Sequence, residues 1–356
     1  MMCRLNALSL LLTAASSTTF AQSLPTTTPS QLAPPSAVLH KTAISEITSL
    51  PRAPIIYPVR CGTSGQPFLR LYKSEPMGSP IIELSVDGQS VKHTYDFRGL
   101  TDLELPKARQ FTAADYQAVG SHLYIVGTAQ KGGTESLAEI LDFSTDNGKF
   151  NGAIPLETNF MPYRVAFFES GGFITTGLLT QFDPVTGKSR TELSTLRYGP
   201  DMRLLEQVHL FGDTTFAGNT PTQEETSLLG GTHLAAYGST IYMLRLKAGG
   251  EVVVYGITEG DNKVSRHVLW TPGDKWQPMA FLVSGDSAII GFVHDLENDG
   301  RTKQYVQYSL SSQTPVSVSF ESDEVVGAFA CYDWVSNYTF ITSRNDHVSV
   351  LRASSR

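Results

Sequence analysis

The chain is poor in charged residues. Only 17% of its 356 residues are charged, against about 25% in an average soluble protein. Its 27 lysines and arginines are outnumbered by 34 aspartates and glutamates, which gives a net charge of -7. No stretch concentrates enough positive charge to hold a polyanion, so we expect no nucleic-acid partner. The 41% of hydrophobic residues is nevertheless enough for a globular core.

Long apolar runs are also scarce, and the main one lies at the start of the chain. Arg4 precedes the apolar run Ala7–Ala15, which is followed by the small-residue end Thr19-Phe20-Ala21. This order is typical of a cleaved secretory signal, and the run is too short to cross a bilayer. We therefore predict a signal peptide over 1–21, no transmembrane segment, and a secreted or periplasmic, extracytoplasmic location. Residues 22–36 are rich in Pro, Thr and Ser and predict a flexible segment.

Cysteine is rare, and one of the three, Cys3, lies in the predicted leader. The remaining two, Cys61 and Cys331, cannot form a four-thiolate zinc site. In an oxidising compartment a lone pair of cysteines is a disulfide candidate. We predict that disulfide, provided that the fold brings the two Cα atoms within about 7 Å.

Sustained helical periodicity is absent, whereas a strand, turn, strand pattern recurs along the chain. Its turn residues are spaced roughly 50 residues apart, with one interval longer by about 17. The long interval predicts an insertion within 198–232. The turn residues, which we call the marker residues, are Gly65, Gly120, Gly171, Gly238, Gly285 and Ser336.

Each repeat contains four short segments with β-branched and aromatic residues between turn residues. We therefore predict an all-β fold, a six-bladed β-propeller of four-stranded antiparallel blades that forms a single domain over 37–356. A pair of β-sandwiches is the alternative, but sandwiches do not require a recurring marker. The last repeat lacks room for a fourth strand. We expect 37–47 to supply it near 348–351 and to close the ring.

Two turns support this interpretation. Phe182-Asp-Pro-Val-Thr-Gly-Lys188 looks like a hairpin common in propeller repeats, and Ser144-Thr-Asp-Asn-Gly-Lys-Phe150 is similar to part of the Asp-box turn of sialidase-like propellers. The chain thus resembles, in a generic way, six-bladed β-propeller repeat proteins of secreted bacterial type. The resemblance identifies no specific family, and one imperfect Asp box is interpreted as structural.

Local catalytic signatures are missing. The sequence contains no HExxH zinc motif, no GxSxG and no phosphate-binding glycine loop. The strongest metal candidate is Asp295-Leu-Glu297-Asn-Asp299, which resembles FG-GAP calcium loops, but Lys303 replaces a further acidic ligand. We expect a solvated hairpin turn and no cofactor, with calcium at Asp295, Glu297 and Asp299 as the alternative.

Propellers bind ligands mainly at one end of the central channel, where several loops converge. The predicted strand order places the candidate binding residues Tyr163, Arg164, Trp276, His294 and His347 on that end. Trp276 is the expected anchor, with packing between blades as its alternative role. We expect a monomeric recognition module for a protein or carbohydrate ligand. A hydrolase or lyase with its site in the central funnel is the alternative, and the sequence leaves open whether the protein is an enzyme.

Overall fold

A computed structural model describes the chain from residue 36 onwards. The described residues are 36–51, 53–72, 79–97, 100, 108–131, 136–208, 210, 232–247, 250–261, 264–269, 271–273, 276–294, 303–312, 314–320, 328–332, 337–344 and 347–354. Their regular structure consists of β-strands, and they contain no helix that is long and apolar enough to span a membrane. The predicted leader lies outside the described residues, as does the flexible segment up to its last residue, Ser36.

After β1 (Ser36–Pro51), sixteen strands form four separate four-stranded antiparallel sheets within the described residues. The first sheet contains β2 (Ile55–Cys61), β3 (Pro67–Leu71), β4 (Ile81–Leu84) and β5 (Val91–Tyr95). The second contains β6 (Ala108–Val119), β7 (His122–Lys131), β8 (Ser136–Ser144) and β9 (Phe150–Pro155). The third contains β10 (Phe160–Phe167), β11 (Phe173–Asp183), β12 (Lys188–Tyr198) and β13 (Leu204–Gln207). The fourth contains β14 (His233–Tyr237), β15 (Thr240–Leu246), β16 (Val252–Thr258) and β17 (Val264–Leu269).

The remaining strands form one eight-stranded sheet. Its first half contains β18 (Trp276–Ser284), β19 (Ser287–His294), β20 (Lys303–Ser309) and β21 (Pro315–Phe320). Its second half contains β22 (Ala328–Tyr332), β23 (Asn337–Arg344), β24 (His347–Ser354) and β1.

Strand β1 joins these two halves. Its residues 36–39 run parallel to β21, and its residues 40–47 run antiparallel to β24. Ile44 pairs with Leu351 and Ile47 with Val348, so the prediction that the N-terminal strand closes the last repeat is confirmed. The expected count of six separate four-stranded sheets is wrong. The described residues contain four, because β1 is long enough to bridge the last two sets of strands.

The innermost strands lie in a ring. Strands β2, β6, β10, β14, β18 and β22 contact one another in that order, and β22 contacts β2 again. A cluster of buried apolar side chains fills each space between consecutive sheets or halves. This is a propeller-like arrangement, in which each sheet buries its faces against its neighbours.

Local chemistry explains the marker glycines. Gly120, Gly238 and Gly285 have φ values of 57°, 58° and 58°, and each is the first residue of a two-residue turn. The second turn residues do not have positive φ. A positive φ at the first position alone is the type II′ hairpin turn, which strongly favours glycine there. The repeated Gly in the sequence therefore marks the turn between the first two strands of these sheets.

Side-chain hydrogen bonds to the backbone hold both motif-like turns in place. Asp183 lies at the β11–β12 turn, where its Oδ1 accepts a hydrogen bond from the Val185 amide at 2.8 Å. Asn147 Oδ1 accepts one from the Lys149 amide at 2.9 Å in the turn between β8 and β9. The predicted insertion within 198–232 lies largely outside the described residues.

Candidate functional site

Irregularities in the innermost strands carry polar residues to the centre of the ring. Pairing shifts by a bulge just before Arg60 in β2, Asp115 in β6 and Arg164 in β10. A bulge bends its strand and changes the direction of the next side chain. In β14, His233 lies four residues before Tyr237, the last residue before the hairpin turn. In β6, Asp115 lies at the equivalent position, four residues before Val119. We call Arg60, Asp115, Arg164 and His233 the central polar cluster.

Glycines on the second strands make room for two of these bulges. Gly127 pairs with Ala113 beside the β6 bulge, and Gly177 pairs with Pro162 beside the β10 bulge. A Cβ atom at Gly127 would lie 2.2 Å from the Thr112 carbonyl oxygen, and one at Gly177 would lie 2.1 Å from the Met161 carbonyl oxygen. The two glycines thus permit the close backbone approach at the bulges that carry Asp115 and Arg164.

Asp115 and Arg60 form a fully buried ion pair. Arg60 donates from Nη2 to Oδ2 at 2.6 Å and from Nε to Oδ1 at 3.1 Å. Asp115 also accepts from the amides of Tyr116 at 2.8 Å and Val165 at 3.1 Å, while Arg60 Nη1 donates to the Leu234 carbonyl at 3.1 Å. These bonds connect four neighbouring sheets. The polar atoms of Arg60 and Asp115 thus bond to each other and to backbone groups, so this ion pair holds the neighbouring sheets of the ring together.

Arg164 is buried without a comparable partner. Arg164 is 6% exposed. Its guanidinium carbon lies 4.1 Å from the centroid of the Tyr163 ring, and its Nη1 donates a hydrogen bond to the Tyr163 carbonyl at 3.0 Å. Its Nε is buried and has no hydrogen-bond partner. No carboxylate in the described part of the chain forms an ion pair with it.

His233 is 5% exposed and contacts the next sheet through its ring. Nε2 lies 3.2 Å from the Pro278 carbonyl oxygen; because a carbonyl can only accept, Nε2 carries the proton. Burial, followed by the positive charge of Arg164, lowers the pKa of His233 to about 3; the hydrogen bond to Pro278 opposes this shift, and the charge of Arg60 adds the smallest contribution to it. The imidazole is therefore neutral across the physiological range.

A small cavity lies between the innermost strands β2, β14 and β18. The residues that line it are Pro58, Val59, Arg60, His233, Leu234, Met279, Ala280, Phe281 and Leu282. Two members of the central polar cluster therefore line a space whose remaining wall is mostly apolar. The cavity has room for about one water molecule, which is far less than an ordinary ligand pocket provides.

The structure brings some predicted site residues together in pairs. Tyr163 and Arg164 stack as described above, and Trp276 and His294 make an edge-on ring contact with centroids 5.0 Å apart. Trp276 is half-buried against the apolar cluster between the fourth sheet and the first half of the eight-stranded sheet. This packing corresponds to the alternative role that the sequence left open for Trp276, the first residue of β18.

The other predicted residues have separate positions. His347 begins β24, is half-buried, and has a buried Nδ1 without a hydrogen-bond partner. No described side-chain contact joins it to either pair, so a funnel shared by all five residues stays a prediction. Asp295, Glu297 and Asp299, the calcium candidates, lie outside the described residues. Elsewhere, within the described ranges, no group of three His, Cys, Asp or Glu side chains could hold a metal ion.

Sequence reasoning missed Arg60, Asp115 and His233. Each lies five positions before a marker glycine, namely Gly65, Gly120 and Gly238. This constant offset was a usable signal, because equivalent positions of a repeat meet at the centre of a ring. Charged and polar residues are mostly exposed in proteins, so residue type alone does not indicate their burial.

Comparison with known proteins supports the fold. No protein-family model matches the chain, and no curated protein matches it. A protein of unknown function from Dyadobacter fermentans has a similar structure, with 9% identity and a TM-score of 0.50 over 89% of this chain and 99% of that chain. The endosialidase of phage phi92 is similar with 9% identity and a TM-score of 0.51, over 88% of this chain and 69% of that chain. At such low identity, these similarities show a propeller fold and no activity.

Proposed function

We propose that this chain is an extracytoplasmic propeller of six four-stranded units that recognises a protein partner. The six units are the four separate sheets and the two halves of the eight-stranded sheet. Six interfacial clusters and six innermost strands in a ring support this division. The extracytoplasmic location is proposed from the signal-like leader in the sequence.

The observation that carries the recognition proposal is a projecting hairpin in the third sheet. Strands β11 and β12 pair from Phe173 and Tyr198 out to Asp183 and Lys188. Strand β10 stops pairing with β11 at Leu179, and β13 pairs with β12 only over 196–198. Beyond Leu179, β11 and β12 therefore continue as a two-stranded hairpin. We call residues 180–191 the projecting hairpin.

The tip of the projecting hairpin is ordered but exposes apolar side chains. Asp183 fixes the turn by accepting hydrogen bonds from the Val185 amide at 2.8 Å and the Thr186 hydroxyl at 2.7 Å. Phe182 is 63% exposed and Val185 is 92% exposed. Rigid, exposed apolar groups lose little entropy on binding and fit the pattern of interface anchors.

One face of the hairpin continues into the predicted binding end. Because side chains alternate along a strand, Phe182 shares a face with Leu178. Leu178 and Leu193 form a small buried cluster against which Tyr163 packs. On this face the hydroxyl pair Thr180 and Thr191 separates the Leu178–Leu193 cluster, against which the predicted binding residue Tyr163 packs, from the exposed ring of Phe182.

The chemistry of this face favours a protein over a carbohydrate. The hydroxyls of Thr180 and Thr191 lie 3.0 Å apart and bond to each other. On the opposite face of the hairpin, Arg190 pairs with Glu192 at 3.3 Å. Few polar groups are therefore free to bind sugar hydroxyls, whereas Phe182 and Val185 can enter an apolar pocket. The hydrolase or lyase alternative has less support at the centre, where Asp115 accepts four hydrogen bonds and His233 is neutral.

The test is a selection from a displayed library of protein fragments of the source organism, followed by affinity measurement. Binders are compared on the wild type, on Phe182→Ser/Val185→Ser, and on the control Leu205→Ser, whose side chain is 60% exposed on β13. We expect the double variant to lose at least about tenfold in affinity and the control to lose none. All three should have similar melting temperatures because the substituted side chains are exposed.

Binders with equal affinity for the wild type and the double variant would contradict the proposal. A glycan array whose signals disappear in the double variant would replace the protein partner by a carbohydrate.

We further propose that Cys61 and Cys331 form a disulfide. Two observations support it: β2 contacts β22, and Cys61 packs at the interface between the second half and the first sheet. The side chain of Cys331 lies outside the described residues.

A further inference from the structure

Four of the innermost strands can be compared at the position five residues before the marker glycine. In β2, β6 and β14 this position holds Arg60, Asp115 and His233, which belong to the central polar cluster. In β18 the same position, five residues before Gly285, holds Ala280. The methyl group of alanine is much shorter than the side chains at the three equivalent positions, so β18 leaves space beside them.

This space is the small cavity between β2, β14 and β18, which we call the central cavity. Ala280 lines it together with Arg60 and His233, and it has room for about one water molecule. Volume alone does not decide whether a cavity holds water, because purely apolar cavities stay dry. A buried water molecule also needs about three hydrogen-bonding partners.

Arg60 and His233 offer complementary side-chain groups. Arg60 uses one N–H on each of its nitrogens for Asp115 and the Leu234 carbonyl, so the second N–H of Nη1 or Nη2 can donate to a water molecule. Nε2 of His233 carries the proton because it bonds to the Pro278 carbonyl at 3.2 Å, and Nδ1 is therefore an acceptor. A water molecule between the two side chains can accept from the guanidinium and donate to the imidazole.

Bulges in two of the lining strands add backbone groups. Pairing of β2 with β3 shifts directly before Arg60, which leaves Val59 outside the ladder. Pairing of β18 with β19 shifts directly before Ala280, which leaves Met279 as the extra residue of a bulge. Val59 and Met279 both line the central cavity. The backbone groups of a bulge residue do not take part in the ladder, and ordered water commonly satisfies such groups when they are buried.

We propose that the central cavity binds one ordered water molecule, held by Arg60, His233 and a backbone group of the β2 or β18 bulge. The water extends the hydrogen-bond network of Arg60 and Asp115 to the imidazole of His233, and so links the innermost strands on both sides of the cavity. Ala280 creates the site, because a longer side chain at this position would fill it. The site is separate from the projecting hairpin and independent of the proposed protein recognition.

The test combines a high-resolution crystal structure of the wild type, which locates the water, with magnetic relaxation dispersion of the water nuclei, which counts long-lived internal waters. The count is compared among the wild type, Ala280→Ser, Ala280→Val and the control Ala138→Ser. Ala138 is a buried residue of β8 in the apolar cluster between the second and third sheets. The control therefore adds the same hydroxyl group to a buried alanine away from the central cavity.

We expect Ala280→Ser and Ala280→Val each to hold one long-lived water fewer than the wild type, and Ala138→Ser to hold the same number. The two substitutions at Ala280 should differ in stability. The serine hydroxyl can replace the hydrogen bonds of the water, whereas valine displaces the water and offers no polar group to Arg60 and His233. Ala280→Val should therefore melt at a lower temperature than Ala280→Ser.

Three results would overturn the proposal. One is a crystal structure of the wild type with clear density for Arg60 and His233 and no water between them, a measurement that does not depend on any variant. Another is an equal number of long-lived waters in the wild type and in folded Ala280→Val. The third is a melting temperature of Ala280→Val above that of the wild type, which would indicate a dry cavity that an apolar side chain fills favourably.

Discussion

Polar residues at the centre of the ring show how a β-bulge can direct a side chain into the protein interior. Asp115 and Arg164 each follow a bulge that a glycine on the next strand makes possible. A sequence pattern of alternating polarity assigns such residues to solvent, because it assumes an unbroken period of two. The bulges break that period. Arg164 was identified as a site residue because it was expected in a loop at the ligand end, whereas it lies buried within β10.

His233 provides a test at the scale of one residue. Its pKa is lowered to about 3 in the folded protein, against about 6.5 for an unperturbed histidine. Between these two values the unfolded chain holds a proton on this residue and the folded chain does not, so stability falls as the pH falls through this window. The loss approaches about 1.4 kcal/mol per pH unit well below pH 6.5.

We therefore expect His233→Gln to reduce the loss of unfolding free energy between about pH 6.5 and pH 4.5. Urea denaturation at several pH values measures this loss in the wild type and in the variant. The control is His122→Gln, since the side chain of His122 is 42% exposed and pairs with Asp142 at the surface. Parallel pH profiles for the wild type and His233→Gln would show that His233 does not cause the dependence.

Whole elements were more predictable than single site residues. The runs of β-branched and aromatic residues predict strands over 242–246, 252–257, 264–269, 288–294, 303–310 and 316–320, and strands β15 to β17 and β19 to β21 lie within two residues of these bounds. The reason is local, since type II′ turns and other short polar turns fix where each hairpin reverses. The packing of Trp276 is not visible in the local sequence, because its neighbours come from another sheet.

Strand β1 is the element with the most distant partners, and its removal tests closure. Leu39 packs between the two halves of the eight-stranded sheet, and Ile47 packs between the second half and the first sheet; each is 1% exposed. Deleting 22–48 should expose both clusters and the edges of β21 and β24. We expect the melting temperature to fall by at least several degrees, because losing each buried side chain alone costs about 2–5 kcal/mol.

Deleting 22–35, which ends before β1, is the matched control and should leave the melting curve unchanged. Calorimetry measures the melting temperatures of the two truncated chains. If deletion of 22–48 lowers the melting temperature no more than the shorter deletion does, β1 does not stabilise the ring.

The whole molecule depends on one junction, where the second half of the eight-stranded sheet meets the first sheet. The two sets of strands are separated by most of the chain and meet through Ile47, Leu69 and Ile341. The repeat pattern predicted such a junction, but the number of separate sheets depends on the exact path of β1, which bridges two sets of strands. The repeat pattern predicted the pairing of β1 with β24, but not the parallel pairing of residues 36–39 with β21.

The proposed disulfide would act at this same junction. Cys61 lies in the cluster that β1 also helps to fill. A bond between residues about 270 positions apart would stabilise the fold by about 5 kcal/mol in a chain-entropy treatment, less any strain. We expect the denatured, unreduced protein without its leader to contain no free thiol, and Cys61→Ser/Cys331→Ser to melt at a lower temperature than the wild type.

The contributions of the proposed disulfide and of strand β1 to stability should be coupled. If the disulfide and β1 stabilise one junction, their separate losses should not add, because after either loss the junction opens more readily and the other contributes less. A double-mutant cycle that combines the 22–48 deletion with Cys61→Ser/Cys331→Ser measures this coupling in unfolding free energy. Strict additivity would place the two at independent junctions, and two free thiols in the unreduced wild type would exclude the disulfide itself.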